Sequence, residues 1–138
     1  MIVLDTSGLL AAIDSSQRRH EQARQALEDD PGPLLLSPFV LTELDYLLST
    51  RVGPEAEALL LNEVAEEVYR LEALTPAEIH EAAGIIERYR DLGIGLADAS
   101  IVLIASRVGT DRILTLDERH FRALRTSGGR SFQLLPEP

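Results

Sequence analysis

Four acidic residues of this sequence could act together in catalysis, because each lies at the end of an apolar segment or on the apolar side of a predicted helix. A lone carboxylate directly after the apolar residues 1–4 would cost several kcal/mol to desolvate unless it had a partner. Several carboxylates in one place repel one another unless a cation lies among them. A ligand set that consists of carboxylate oxygens and contains no cysteine is of the kind that binds Mg²⁺ or Mn²⁺. The predicted divalent-cation site consists of Asp5, Glu43, Asp98 and Asp117.

Short apolar segments alternate with helical patterns, and these elements must position the four acids. Strands are predicted at residues 2–4, 34–36, 67–71, 112–116 and 132–135. Helices are predicted at residues 9–13, from after Ser16 to about 27, and at about 38–51, 55–66, 76–92, 96–108 and 117–124. The alternation indicates an α/β fold with a mainly parallel sheet, and the absence of linkers or repeats indicates one domain over residues 1–138.

Two of the acids follow predicted strands. Asp5 comes directly after the first strand and Asp117 directly after the strand at 112–116. In parallel sheets, sites form where the chain leaves the carboxyl ends of the strands. These two carboxylates, from opposite ends of the sequence, are therefore predicted to meet at one edge of the sheet.

The other two acids lie on predicted helices. Helical spacing puts Glu43 at the border of the apolar face formed by Val40, Leu44, Leu47 and Leu48, which predicts a partly buried Glu43 and a solvated Asp45 on the far side. Asp98 falls on the inward half of its helix, in the first turn, where the helix N-terminus favours negative charge.

Each acid also has a simpler explanation. Asp5 or Asp117 could cap the helix that follows it, Glu43 could pair with an arginine, and Asp98 could be a first-turn residue that interacts with the helix dipole. No matching set of inward basic residues is apparent, however, and this favours the joint site.

Other candidate residues have weaker patterns. His20, His80 and His120 are assigned to surface or helix-packing roles, and Asp29-Asp30 to a solvated helix end. No serine has the sequence context of a nucleophile elbow. All 13 basic residues are arginine. Six of them could line a path for phosphates or could make scattered salt bridges: Arg107, Arg112, Arg119, Arg122, Arg125 and Arg130.

Composition excludes several classes of protein. The absence of cysteine excludes disulfides, thiolate zinc sites and a cysteine nucleophile, and the absence of lysine excludes the P-loop. No signal peptide or membrane span is visible, so a cytoplasmic protein is expected. A net charge of −10 argues against nucleic-acid binding through a large basic surface, although a small local group of basic residues could still bind it.

Four segments together resemble one known family. They are the N-terminal strand ending Asp5-Thr6-Ser7, the helical Thr42-Glu43-Leu44, residues 94–99, and residues 114–117 followed by His120-Phe121. In this order and in a chain of this length, the sequence resembles PIN-domain ribonucleases, specifically the VapC-type toxins of toxin–antitoxin pairs. The resemblance covers essentially the whole chain.

The resemblance implies an Mg²⁺-dependent (alternatively Mn²⁺-dependent) endoribonuclease with Asp5, Glu43, Asp98 and Asp117 as the catalytic, metal-binding cluster. It implies supporting hydroxyls at Thr6, Ser7 and Thr115, a small parallel sheet between helices, a homodimer, an RNA substrate and a VapB-type antitoxin. Products with 5′-phosphate and 3′-hydroxyl ends would be expected.

Two other functions are compatible with the sequence. A DNA nuclease of the flap-endonuclease type uses a similar acidic cluster, but the chain is short for the DNA-clamping elements of such enzymes. A binding module without activity could use apolar helices such as residues 55–64 as an interface. Neutralising the four acids would leave such a module's binding intact.

Overall fold

The computed structural model describes residues 1–138, and its centre is a five-stranded sheet. The strand order is β3-β2-β1-β4-β5, and all four pairings are parallel. The predicted α/β class with a parallel sheet is confirmed. The strands are β1 (Ile2–Leu4), β2 (Leu34–Leu36), β3 (Arg70–Leu71), β4 (Arg112–Leu114) and β5 (Gln133–Leu135).

Seven α-helices pack around this sheet. All three residues of β1 are fully buried, so both faces of the central strand are covered, as a parallel sheet requires. The helices are α1 (Thr6–Ile13), α2 (His20–Asp29), α3 (Pro38–Leu47), α4 (Pro54–Ala65), α5 (Pro76–Arg88), α6 (Leu96–Val108) and α7 (Glu118–Ala123). None of these helices is long and apolar enough to cross a membrane.

Local sequence signals account for several helix ends. Helix α5 begins with a capping box, in which Thr75 accepts from the Glu78 amide and Glu78 accepts from the Thr75 amide. Helix α6 has the predicted bounds and ends at Gly109, which has a left-handed backbone (φ 78°). Helix α2 begins later than predicted, so that Arg18 and Arg19 lie in the turn before it.

The helix predicted at 38–51 is divided. Regular α3 ends at Leu47, and residues Leu48–Val52 form a π-helical turn. The Ser49 and Thr50 hydroxyls both donate to the Tyr46 carbonyl, at 3.1 and 2.6 Å. Hydroxyls that bond back to the preceding turn compete with the regular amide ladder, which explains the change of helix type.

One predicted solvated acid proves to be buried. The Asp30 side chain has no exposed surface and accepts a hydrogen bond from Arg112 Nη2 at 3.1 Å. Its other oxygen accepts from the N-terminal amine at 2.9 Å and from the Gly32 amide at 2.8 Å. The interpretation of Asp29-Asp30 as a solvated helix end is therefore wrong for Asp30, which joins the amino ends of β1 and β4.

Candidate active site

Asp5 lies at the carboxyl end of the central strand and is 5% exposed. Although Asp5 occupies the N-cap position of α1, its side chain makes no capping hydrogen bond. Its Oδ2 instead accepts from Thr115 Oγ1 at 2.7 Å and from Ser7 Oγ at 3.1 Å. A helix cap therefore does not explain this carboxylate.

The surroundings of Asp5 disfavour its charged form. Burial raises the pKa of Asp5 to about 6, the Thr115 hydrogen bond opposes this rise, and the negative charge of Asp98 adds to it. No arginine contacts Asp5. The carboxylate is thus held in place by hydroxyl donors, and no counter-charge compensates its burial.

The same hydroxyls tie two distant parts of the chain together. Ser7 Oγ and Thr115 Oγ1 are 3.2 Å apart. Ser7 Oγ accepts from the Leu116 amide, and Thr115 Oγ1 accepts from the Asp117 amide, each at 2.9 Å. The start of α1 and the segment after β4 are therefore fixed to each other at this edge of the sheet.

Asp98, in the first turn of α6, lies at the centre of the charge cluster. Burial raises its pKa, the nearby His120 opposes this rise, and the negative charges of Asp117 and Glu43 raise it further. Together with the effect of Asp98 on Asp5, these interactions link all four predicted acids. They come from four separate elements: the end of β1, α3, α6 and the segment after β4.

Asp117 has both of the roles considered for it. Its Oδ1 accepts from the His120 amide at 3.1 Å, so it is the N-cap of α7. Its Oδ2 faces the His120 side chain and its charge acts on Asp98. Capping and membership of the acidic cluster are therefore compatible.

Glu43 belongs to the cluster but is exposed, which contradicts the expectation that it is partly buried. Its Oε1 accepts from Thr6 Oγ1 at 2.7 Å, so the α1 N-terminus orients it. Asp45 is the half-buried acid, because α4 packs on its side of α3. There the interaction with Asp45 raises the pKa of the Glu57 carboxyl in α4.

The sequence predicts a surface or helix-packing role for His120, but the structure places this residue in the acidic cluster. Its Nδ1 is 2.9 Å from Asp117 Oδ2 and 3.3 Å from Asp98 Oδ2. This nitrogen is buried, and neither contact is aligned as a hydrogen bond. The sequence feature that could have predicted this position is the spacing between His120 and Asp117, since residues three apart on a helix lie on the same side.

The donor set suits a divalent cation. The four carboxylates interact electrostatically with no arginine among them, and the buried His120 Nδ1 faces two of them without an aligned partner. Oxygen-rich sets of this kind bind hard divalent ions. In this structure, no three Asp, Glu or His side chains are placed to hold a metal ion together.

Most arginines of the last third make structural contacts. Arg107 pairs with Glu72 and Glu78, Arg112 with Asp30, Arg122 with Glu118, and Arg130 lies 3.8 Å from Asp111. Arg125 donates to three carbonyls at the end of α7. Of the six, five are engaged and Arg119 is free, so the set does not form a continuous path for phosphates.

A cleft of about 710 Å³ lies elsewhere, between α5, α6 and the turn after α7. None of the four acids lines it. The acidic cluster instead lies at the carboxyl edge of the sheet, where Glu43 is exposed and Asp117 is partly exposed.

This combination of fold and acidic edge agrees with a comparison to protein families. The family model for the PIN domain matches residues 2–126. The chain therefore belongs to the PIN-domain family.

Similarity to individual proteins shows which group of PIN-domain proteins the chain resembles. The chain is 44% identical over 135 residues to ribonuclease VapC26 of Mycobacterium tuberculosis, covering 98% of this chain and 100% of that protein. The fold is similar to that of the crystal structure of M. tuberculosis VapC20, described as a toxin that cleaves the sarcin–ricin loop. The TM-score is 0.79 at 24% identity, covering 85% of this chain and 90% of the other. The resemblance to VapC-type PIN-domain ribonucleases is confirmed.

Proposed function

We propose that this protein is a divalent-metal-dependent endoribonuclease and the toxin of a toxin–antitoxin pair, built as one domain. The observation that carries the proposal is that Asp5, Glu43, Asp98 and Asp117 are linked electrostatically around a buried carboxylate and that no arginine pairs with any of them. The name and the 44% identity of VapC26 support RNA as the substrate.

The chain's own residues have distinct parts in the proposed reaction. All four acids serve as metal ligands, with Mg²⁺ as the expected ion and Mn²⁺ as the alternative. When bound, a divalent ion supplies charge stabilisation for a phosphodiester and acidifies a water. Thr115 and Ser7 fix the orientation of Asp5, and Thr6 fixes that of Glu43. One of the acids accepts the proton of the attacking water.

The proposed partners follow from the family and from the charge of the chain. A VapB-type antitoxin with a basic tail would be attracted by a protein of net charge −10. A homodimer would cover apolar residues of α4, where Leu59 and Leu61 are 57% and 44% exposed. We expect the protein to act in the cytoplasm, where RNA and antitoxin are both present.

RNA cleavage by purified protein freed of antitoxin tests the proposal. Total cellular RNA is incubated with Mg²⁺, with Mn²⁺ or with EDTA, using the wild type and Asp98→Asn. Discrete products that need metal, carry 5′-phosphates and are absent with the variant are expected. Asp29→Asn is the matched control, because it makes the same change on an exposed residue at the end of α2.

Two outcomes contradict the proposal. Cleavage that continues in EDTA or with Asp98→Asn would mean that the chemistry belongs to other residues. A folded wild type that cuts no RNA, but retains partner binding when the acids are neutralised, would indicate a binding module.

A further inference from the structure

A protein with four clustered carboxylates needs cationic side chains nearby to hold a polyanionic strand. Most of its arginines are not available for this. Nine of the 13 arginines are engaged by carboxylates or carbonyl groups of the chain itself. The four without an ion pair or hydrogen bond are Arg18, Arg51, Arg88 and Arg119.

Arg119 is free and borders the acidic cluster. It lies two residues after Asp117, in the first turn of α7. On a helix it points about 200° away from Phe121, which is fully buried, so its side chain extends into solvent. Its guanidinium is therefore exposed to solvent on α7, the helix that Asp117 caps.

Arg18 lies exposed in the turn between α1 and α2, and this turn is attached at the same edge of the sheet. The neighbouring Arg19 donates from Nη2 to the Glu137 carbonyl at 2.6 Å, two residues beyond the end of β5. The turn between α1 and α2 is thus attached at the carboxyl edge, where Asp5 and Asp117 also lie. Leu116, next to Asp117, packs against the alanines that join α1 and α2.

The two arginines therefore lie on two elements near the acids. Arg119 is in α7, which Asp117 caps, and Arg18 is in the turn between α1 and α2.

We propose that Arg18 and Arg119 bind backbone phosphates of the RNA strand beside the acidic cluster. The inference rests on the proposed ribonuclease function and adds its substrate-binding residues. Arginine side chains supply a large share of phosphate contacts in nucleic-acid complexes, where they position the strand without reading its sequence. Because neither arginine has a partner within the chain, no ion pair has to break when RNA binds.

The test measures binding separately from cleavage. Arg18→Gln, Arg119→Gln and the double variant are made in the cleavage-deficient Asp98→Asn background. Their affinity for a short, fluorescently labelled, single-stranded RNA of mixed sequence is measured at several NaCl concentrations. Each substitution should weaken binding and reduce the slope of log K against log [salt] by about 0.7, and the double variant by about 1.4.

Arg130→Gln is the matched control. Arg130 lies 3.8 Å from Asp111, before the amino end of β4, at the edge of the sheet opposite to the acids. It should leave both affinity and slope unchanged. Arg18→Lys and Arg119→Lys keep the charge and should retain most of the slope, and equal melting temperatures would exclude a folding defect.

The outcomes separate this inference from the ribonuclease proposal. If wild type cleaves RNA but Arg18→Gln and Arg119→Gln bind like Arg130→Gln, the two arginines are not phosphate ligands and this inference alone is overturned. In the active background, the two substitutions should raise KM and leave kcat nearly unchanged. If no variant binds RNA and wild type cleaves none, both proposals are overturned.

Discussion

Thr115 donates from Oγ1 to Asp5 Oδ2 across 2.7 Å, joining residues that are 110 positions apart in the chain. The bond connects the ends of two neighbouring strands, β1 and β4, whose backbones pair in parallel. It holds a buried carboxylate in one orientation but does not compensate its charge. A carboxylate that is fixed and uncompensated is well suited to accept a cation, and the following predictions test that interpretation.

The stability of the metal-free protein should depend on the protonation of Asp5. Its pKa is about 6 in the fold against a usual value of 3.8, so between these values the folded state binds more protons than the unfolded state. Its contribution therefore becomes unfavourable as pH rises through this window, by about 3 kcal/mol at neutral pH. Asp5→Asn should remove this cost.

Urea unfolding in EDTA would measure the effect. Relative to wild type, Asp5→Asn should gain stability between about pH 4 and neutral pH, because its side chain does not ionise in this range. A difference that stays constant with pH would show that Asp5 keeps its ordinary pKa.

Metal should stabilise the wild type by relieving repulsion among the acids. At a concentration of 100 times Kd, Mg²⁺ or Mn²⁺ should add about 2.7 kcal/mol, which corresponds to a rise of roughly 10 °C in melting temperature. Asp98→Asn should blunt this shift, whereas Asp29→Asn should show it in full. An equal shift in wild type and Asp98→Asn would remove Asp98 from the ligand set.

The two roles of Asp117 can be separated by two substitutions. Asp117→Asn keeps a side-chain oxygen to accept from the His120 amide, so stability should stay near that of wild type while RNA cleavage is lost. Asp117→Ala should lose cleavage and also about 1 kcal/mol, the usual cost of removing an N-cap. Chemical unfolding and cleavage assays would check both, and an active Asn variant would leave Asp117 with only a capping role.

Gly8 should be intolerant of any side chain, because α1 crosses β4 there without space for one. A Cβ at this position would lie 2.3 Å from the Leu114 carbonyl oxygen and 2.7 Å from the Thr115 nitrogen. Gly8→Ala should therefore cost about 3 kcal/mol or more. In Gly84→Ala, on open α5, the new Cβ meets nothing within 4 Å, so the variant should gain about 0.5–1 kcal/mol. Urea unfolding of the pair compares the two, and a stable Gly8→Ala would contradict the close approach.

Much of the fold was predictable because its signals are local. The bounds of α6 follow from an apolar face that ends at glycine, and the start of α5 follows from the Thr75–Glu78 capping box. The grouping of Asp5 with Asp117 was predictable from strand exits in a parallel sheet. In each case the prediction depends only on residues that are close together in the sequence.

The errors concern side chains whose surroundings come from distant parts of the chain. Asp30 is buried by Arg112, which is 82 residues away, and no local pattern predicts that contact. Asp45 is covered by α4, so the apolar face of α3 alone gave the wrong order of burial for Asp45 and Glu43. His120 meets Asp98 only because α6 and α7 converge.

The strand order also has a consequence for biosynthesis. Because β1 lies between β2 and β4, the first strand made has one of its two neighbours only after residue 114 has been synthesised. Asp5 lacks its Thr115 donor, and the cluster lacks Asp117, until that point. On the proposed mechanism, the nascent chain is therefore inert through most of elongation, because its acidic cluster is complete only after residue 117 has been made.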